Sequence, residues 1–146
     1  MNRHFRLIQD VSELNGTCYI EFQRGRYKGS CWLKTSVFLE EESYGLLEPT
    51  IRRSVDGYDY YSFMDVPSER WKKILADLDV VYEFVRSARS FKDAAPHVGF
   101  MFAETQRRFE ADFERCRQET KHLIQDFNQW VRLAISEVDV VSILGI

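Results

Sequence analysis

The chain is poor in structure breakers, in paired cysteines and in long apolar runs. Glycine (7) and proline (3) are few among the 146 residues, which excludes a disordered linker. The three cysteines, Cys18, Cys31 and Cys116, are an odd number with no CxxC pair. That pattern excludes a disulfide framework and a four-ligand zinc site, and the cysteines read as small buried hydrophobes in a reducing compartment. No run approaches the roughly 20 apolar residues of a membrane span. No apolar stretch follows Met1–Arg6, so the expectation is a cytoplasmic protein without membrane contact. A basic excess is missing as well: 20 Lys and Arg stand against 23 Asp and Glu. This argues against a nucleic-acid partner.

Catalytic signatures are also lacking. There is no G-x-S-x-G elbow and no Gly-rich loop opening a helix. His4, His97 and His122 lie far apart. Glu119 and Asp126 flank His122 at helical spacing, and Glu-x-x-His is half of a di-iron motif, but no second copy exists. The group reads as an exposed helical pairing. The expectation is a protein that is no enzyme and needs no metal or cofactor.

What is present suits one buried core. Hydrophobic residues make up 45% of the chain, and the length fits a single α+β domain over residues 1–146. Cys18, Ile20 and Phe22 alternate with polar neighbours, which predicts a strand. Gly25 then marks a turn, and the basic stretch Arg24–Lys28 reads as a solvated edge. Residues 31–39 predict a second strand with Cys31, Leu33, Thr35, Val37 and Leu39 on one face. Residues 44–53, interrupted by Gly45 and Pro49, predict an edge or bulged third strand. Asp56-Gly57 signals a hairpin into a fourth strand over 58–64. The result is an N-terminal antiparallel sheet of about four short strands.

The period then changes. Pro67 and Glu69 open an amphipathic helix to about residue 88, with Trp71, Ile74, Leu75, Leu78, Val81 and Val85 on its stripe. Residues 90–99 read as a loop. A second, long helix starts near Phe100, with apolar residues every seven and four through Ala134. At about 34 residues it would span roughly 50 Å. It must bend or break, with Thr120 one place for that, or pair with a partner. Val138–Ile146 reads as a last strand or a docked tail.

The segment Glu40–Asp65 stands out. It carries seven acids and two bases, a net of −5 in a chain whose total is −3. Tyrosines lie among those acids. Tyrosine offers large contact area at low entropic cost, and clustered acids steer a basic partner. The candidate partner-binding residues are Glu40, Glu41, Glu42, Tyr44, Asp56, Tyr58, Asp59, Tyr61 and Asp65. Alternation puts Tyr58 and Tyr60 on one face and Asp59 and Tyr61 on the other.

The small size, the short strands, and Met64-Asp65-Val66-Pro67 followed by Glu69, Trp71, Ile74 and Leu75 resemble bacterial immunity proteins. These neutralise polymorphic toxins, including those of contact-dependent growth inhibition. The resemblance covers residues 17 to 80 and leaves the long helix outside it. It implies tight binding to a cognate toxin domain, often a basic nuclease, in the cytoplasm. The alternative is a homodimeric structural or regulatory protein assembled through the long helix.

Overall fold

A computed structural model describes residues 3–146. The chain is α+β, built on a four-stranded antiparallel sheet. Its strands are β1 (Tyr19–Arg24), β2 (Val37–Glu40), β3 (Phe63–Pro67) and β4 (Val140–Leu144), in the spatial order β2-β1-β4-β3. The helices are α1 (Glu41–Arg52), α2 (Ser68–Ser87), α3 (Phe91–Ala94), α4 (Ala103–Ala111) and α5 (Phe113–Glu137).

The strand period of two sorts the sheet into two faces. Ile20, Phe22, Val37, Leu39, Val66, Val141 and Ile143 join the core shared with the helices. Glu21, Gln23, Phe38, Asp65, Ser142 and Leu144 point to the other side. Phe22 marks the centre of the core. Its ring meets Tyr44 of α1 at 6.2 Å, Trp71 of α2 at 6.2 Å and Phe127 of α5 at 5.0 Å. Trp71 is fully buried, and its indole N–H donates to the Val141 carbonyl at 3.1 Å. Burying that ring leaves no polar atom unsatisfied.

Several expectations need correction. The sheet is not N-terminal, because the apolar tail forms β4 and lies between β1 and β3. The predicted second strand narrows to Val37–Glu40, and Cys31 to Thr35 lie in the connection before it. Residues 44–53 are helix rather than strand. Tyr44, Leu47 and Ile51 recur at helical spacing, Glu41 and Glu42 occupy the positive first turn, and Arg52 the last. Residues 58–62 lie outside the sheet, with a turn at 60–61, and the strand starts only at Phe63.

The first amphipathic helix lies where its period placed it, as α2. The second breaks at Asp112, not near Thr120. Asp112 leaves the helical region (φ −126°, ψ 57°), and its carbonyl starts α5 by accepting from the Cys116 amide at 3.0 Å. Aspartate favours such helix-flanking positions over helix interiors. Just before the break, Phe109 packs among Phe5, Phe91, Phe100 and Phe113. The stripe of α5, including Leu123, Phe127, Val131 and Ala134, is buried in this chain's own core. Cys18 and Cys31 are exposed and only Cys116 is buried, which corrects the reading of all three as core residues.

Candidate functional site

The nine predicted site residues do not form one acidic face. Glu42 contacts the His4 ring, Asp56 pairs with Arg70 at 3.1 Å, and Asp65 pairs with Arg26 at 3.3 Å. Asp59 accepts from the Tyr61 amide at 2.9 Å and shapes a turn. Glu40 is exposed at the end of β2. Arg70 and Arg26, from outside the segment, pair with two of its seven acids, so the surplus of −5 falls to −3.

The tyrosines converge instead. Tyr44 is buried, and its hydroxyl lies 2.6 Å from that of Tyr58. The Tyr60 hydroxyl donates to Glu41 Oε2 at 2.5 Å. Burial, above all, pushes the hydroxyls of Tyr44, Tyr58 and Tyr60 well above the ordinary phenol range. They therefore stay protonated and available as donors. Tyr58 and Tyr60 turn inward while Asp59 and Tyr61 turn out, so the predicted alternation holds although the segment is not a strand.

Tyr60 and Tyr61 of this group line an open cleft of about 460 Å³. Glu41, Glu48 and Arg52 of α1 lie along its floor, with Tyr60 and Tyr61 on one side and Phe100 to Phe102 on the other. Tyr61 is 74% exposed and Phe102 46% exposed. Two glycines set the approach of the second wall. Pro49 removes the N–H that would bond the Gly45 carbonyl within α1. Gly99 packs at that spot, where a Cβ would lie 2.6 Å from the Gly45 oxygen and 2.7 Å from the Pro49 ring. A Cβ on Gly45 would meet Met101 Cγ at 2.8 Å. Residues 99–102 can lie against α1 only because both positions lack a side chain. Sequence reading took Gly45 and Pro49 as strand breakers, and nothing linked them to Gly99.

The other sheet face carries a second groove, of about 260 Å³, with Tyr19, Trp32, Phe63, Leu144 and Ile146 in its lining. Its shape depends on Glu21, which is 2% exposed. The Glu21 carboxylate accepts from the amides of Trp32 (2.7 Å) and Leu33 (3.1 Å), from the Ser36 hydroxyl (2.6 Å) and from Gln23 Nε2 (3.0 Å). These bonds hold Trp32 at φ 59°, a left-handed backbone rare for a bulky residue, with its ring 41% exposed. No pattern in the sequence marks Glu21, since its donors lie two to fifteen residues away in a segment that reads as strand.

A third pocket, of about 310 Å³, is lined by His4, Arg108, Arg115, Cys116 and Glu119 among others. Cysteine, histidine and a histidine-bound carboxylate are the parts of a nucleophilic site. Here the thiol donates to the Arg108 carbonyl at 3.8 Å, and burial pushes Cys116 up to about 11. It is a protonated thiol at neutral pH. Glu119 is not in an exposed pairing with His122: it is buried and accepts from the His4 and Phe5 amides at 2.8 and 2.9 Å. Asp126 pairs with Arg3 at 3.6 Å. Among the described residues, no three His, Cys, Asp or Glu side chains are grouped so as to hold a metal ion. No helix among them is long and apolar enough to cross a membrane. No protein-family model, curated protein or solved structure matches this chain.

Proposed function

We propose that this chain is a binding protein that masks a protein partner, of the kind that neutralises a cognate toxin domain. One observation carries the reading. Tyr61, Phe63, Trp32, Phe102 and Ile146 are large apolar side chains left exposed, and all five line the two grooves on either side of the segment Tyr58–Phe63. Exposed apolar side chains gathered at grooves mark interaction surfaces, and aromatic anchors dominate interface energetics. The rigid supports agree with that use. The Tyr44–Tyr58 contact, the Tyr60–Glu41 bond and the Glu21 network hold the anchors without a partner present, which lowers the ordering cost of binding.

The sequence resemblance to toxin immunity proteins supplies the class of partner. The test is the gene neighbourhood followed by co-purification. A secreted-toxin domain encoded beside this chain, forming a one-to-one complex that suppresses its toxicity, is the expected result. Failure of the two to associate, or turnover of a small substrate that is lost on changing one polar side chain, would overturn the proposal.

A further inference from the structure

We infer that the cleft between α1 and residues 99–102 receives an arginine side chain of the partner, with Glu41 as its counter-ion. This rests on the partner-binding reading above and names the chemistry of one contact. Three groups of the cleft carry charge: Glu41, Glu48 and Arg52. Glu48 already has a cation, since Arg52 lies 3.6 Å away one turn along the helix. Glu41 has none among the described residues. Among the described residues the one hydrogen bond it accepts comes from Tyr60, which engages one carboxylate oxygen and leaves the other without a donor. The cleft therefore keeps a net charge of −1 at a site walled by Tyr60, Tyr61, Phe100 and Phe102.

A carboxylate between aromatic faces selects a cation, because the ring faces are the negative part of each quadrupole. Among protein cations, arginine fits best. Its flat guanidinium stacks on tyrosine and phenylalanine while its edge donates to a carboxylate, and it sheds water more readily than an ammonium.

The experiment is a titration of the full chain, followed by backbone amide NMR shifts, with N-acetyl-arginine amide and with its neutral isostere N-acetyl-citrulline amide. Saturable shifts at Tyr60, Tyr61, Met101 and Phe102 with the arginine probe are expected. The citrulline probe should bind about tenfold more weakly, and Glu41→Gln should remove that difference. Equal binding of the two probes, or no shift in these residues, overturns the inference. The partner complex separates this failure from that of the wider reading. If a toxin domain binds the wild type and is weakened by Tyr61→Ala but not by Glu41→Gln, the cleft is a docking surface without an arginine. The inference is then overturned while the masking role stands.

Discussion

Glu21 and Glu41 are two carboxylates with no cation paired to them among the described residues, and they behave as opposites. Glu21 is sealed from water and accepts four hydrogen bonds, two of them from backbone amides. Glu41 is half-buried at the edge of an open cleft and accepts one, from Tyr60. A satisfied carboxylate is a scaffold, because both its oxygens already have donors and removal leaves those donors stranded. An under-satisfied carboxylate at an open surface is a receptor, because its remaining acceptor capacity faces whatever arrives. The difference lies in partners and exposure, not in residue type, and it separates structure from function within one small domain.

The largest expected effect is at the scaffold. Glu21→Ala strands the Trp32 and Leu33 amides and the Ser36 hydroxyl. It should cost about 3 kcal/mol in urea unfolding and accelerate hydrogen exchange at both amides. A variant as stable as the wild type would erase the distinction between the two glutamates. Next comes the wall of the cleft. Gly99→Ala places a methyl against the Gly45 oxygen and the Pro49 ring. It should cost about 1–3 kcal/mol and change the environment of Phe100 to Phe102, read by amide shifts.

Buried groups that ionise at high pH give a third, smaller effect. Burial raises the Cys116 thiol to about 11 and lifts the phenols of Tyr44, Tyr58 and Tyr60. Each folded-state value lies above the unfolded one, so each contribution is complete below the unfolded value and declines as pH rises past it. Unfolding midpoints should hold through neutrality and fall above about pH 9, the Cys116 part between about 9 and 11. Cys116→Ala should flatten that first part of the decline. In the same spirit, Cys18 and Cys31 should be alkylated quickly in the native protein and Cys116 only on unfolding. The smallest stability effect belongs to the receptor. Glu41→Gln should shift unfolding by no more than about 0.5 kcal/mol while weakening the partner complex about tenfold.

Legibility followed the reach of the interactions. Helix α2 and the stripe of α5 were readable because their period is local and their burial one-sided, and the alternation over Ile20 and Phe22 found β1 for the same reason. Residues 44–53 were misread because Gly45 and Pro49 look like breakers until Gly99, fifty residues on, is seen filling the space they leave. The connection before β2 was misread because Glu21 folds it from across the sheet. Of the tyrosines named for the candidate site, Tyr44 and Tyr58 converge, and Tyr60, left out of it, joins them. Two of the acids around them pair with Arg26 and Arg70, which come from elements the segment does not contain. Phe100 to Phe102 and Trp32, which complete the two grooves, carried no signal beyond being aromatic or apolar.

The most direct measurement is the affinity of the proposed partner for the wild type and for Tyr61→Ala, with unfolding midpoints taken on both. Tyr61 is 74% exposed, so its removal should leave the midpoint nearly unchanged. The account predicts at least about a tenfold loss of affinity with the fold intact. Equal affinities for the two proteins would contradict it.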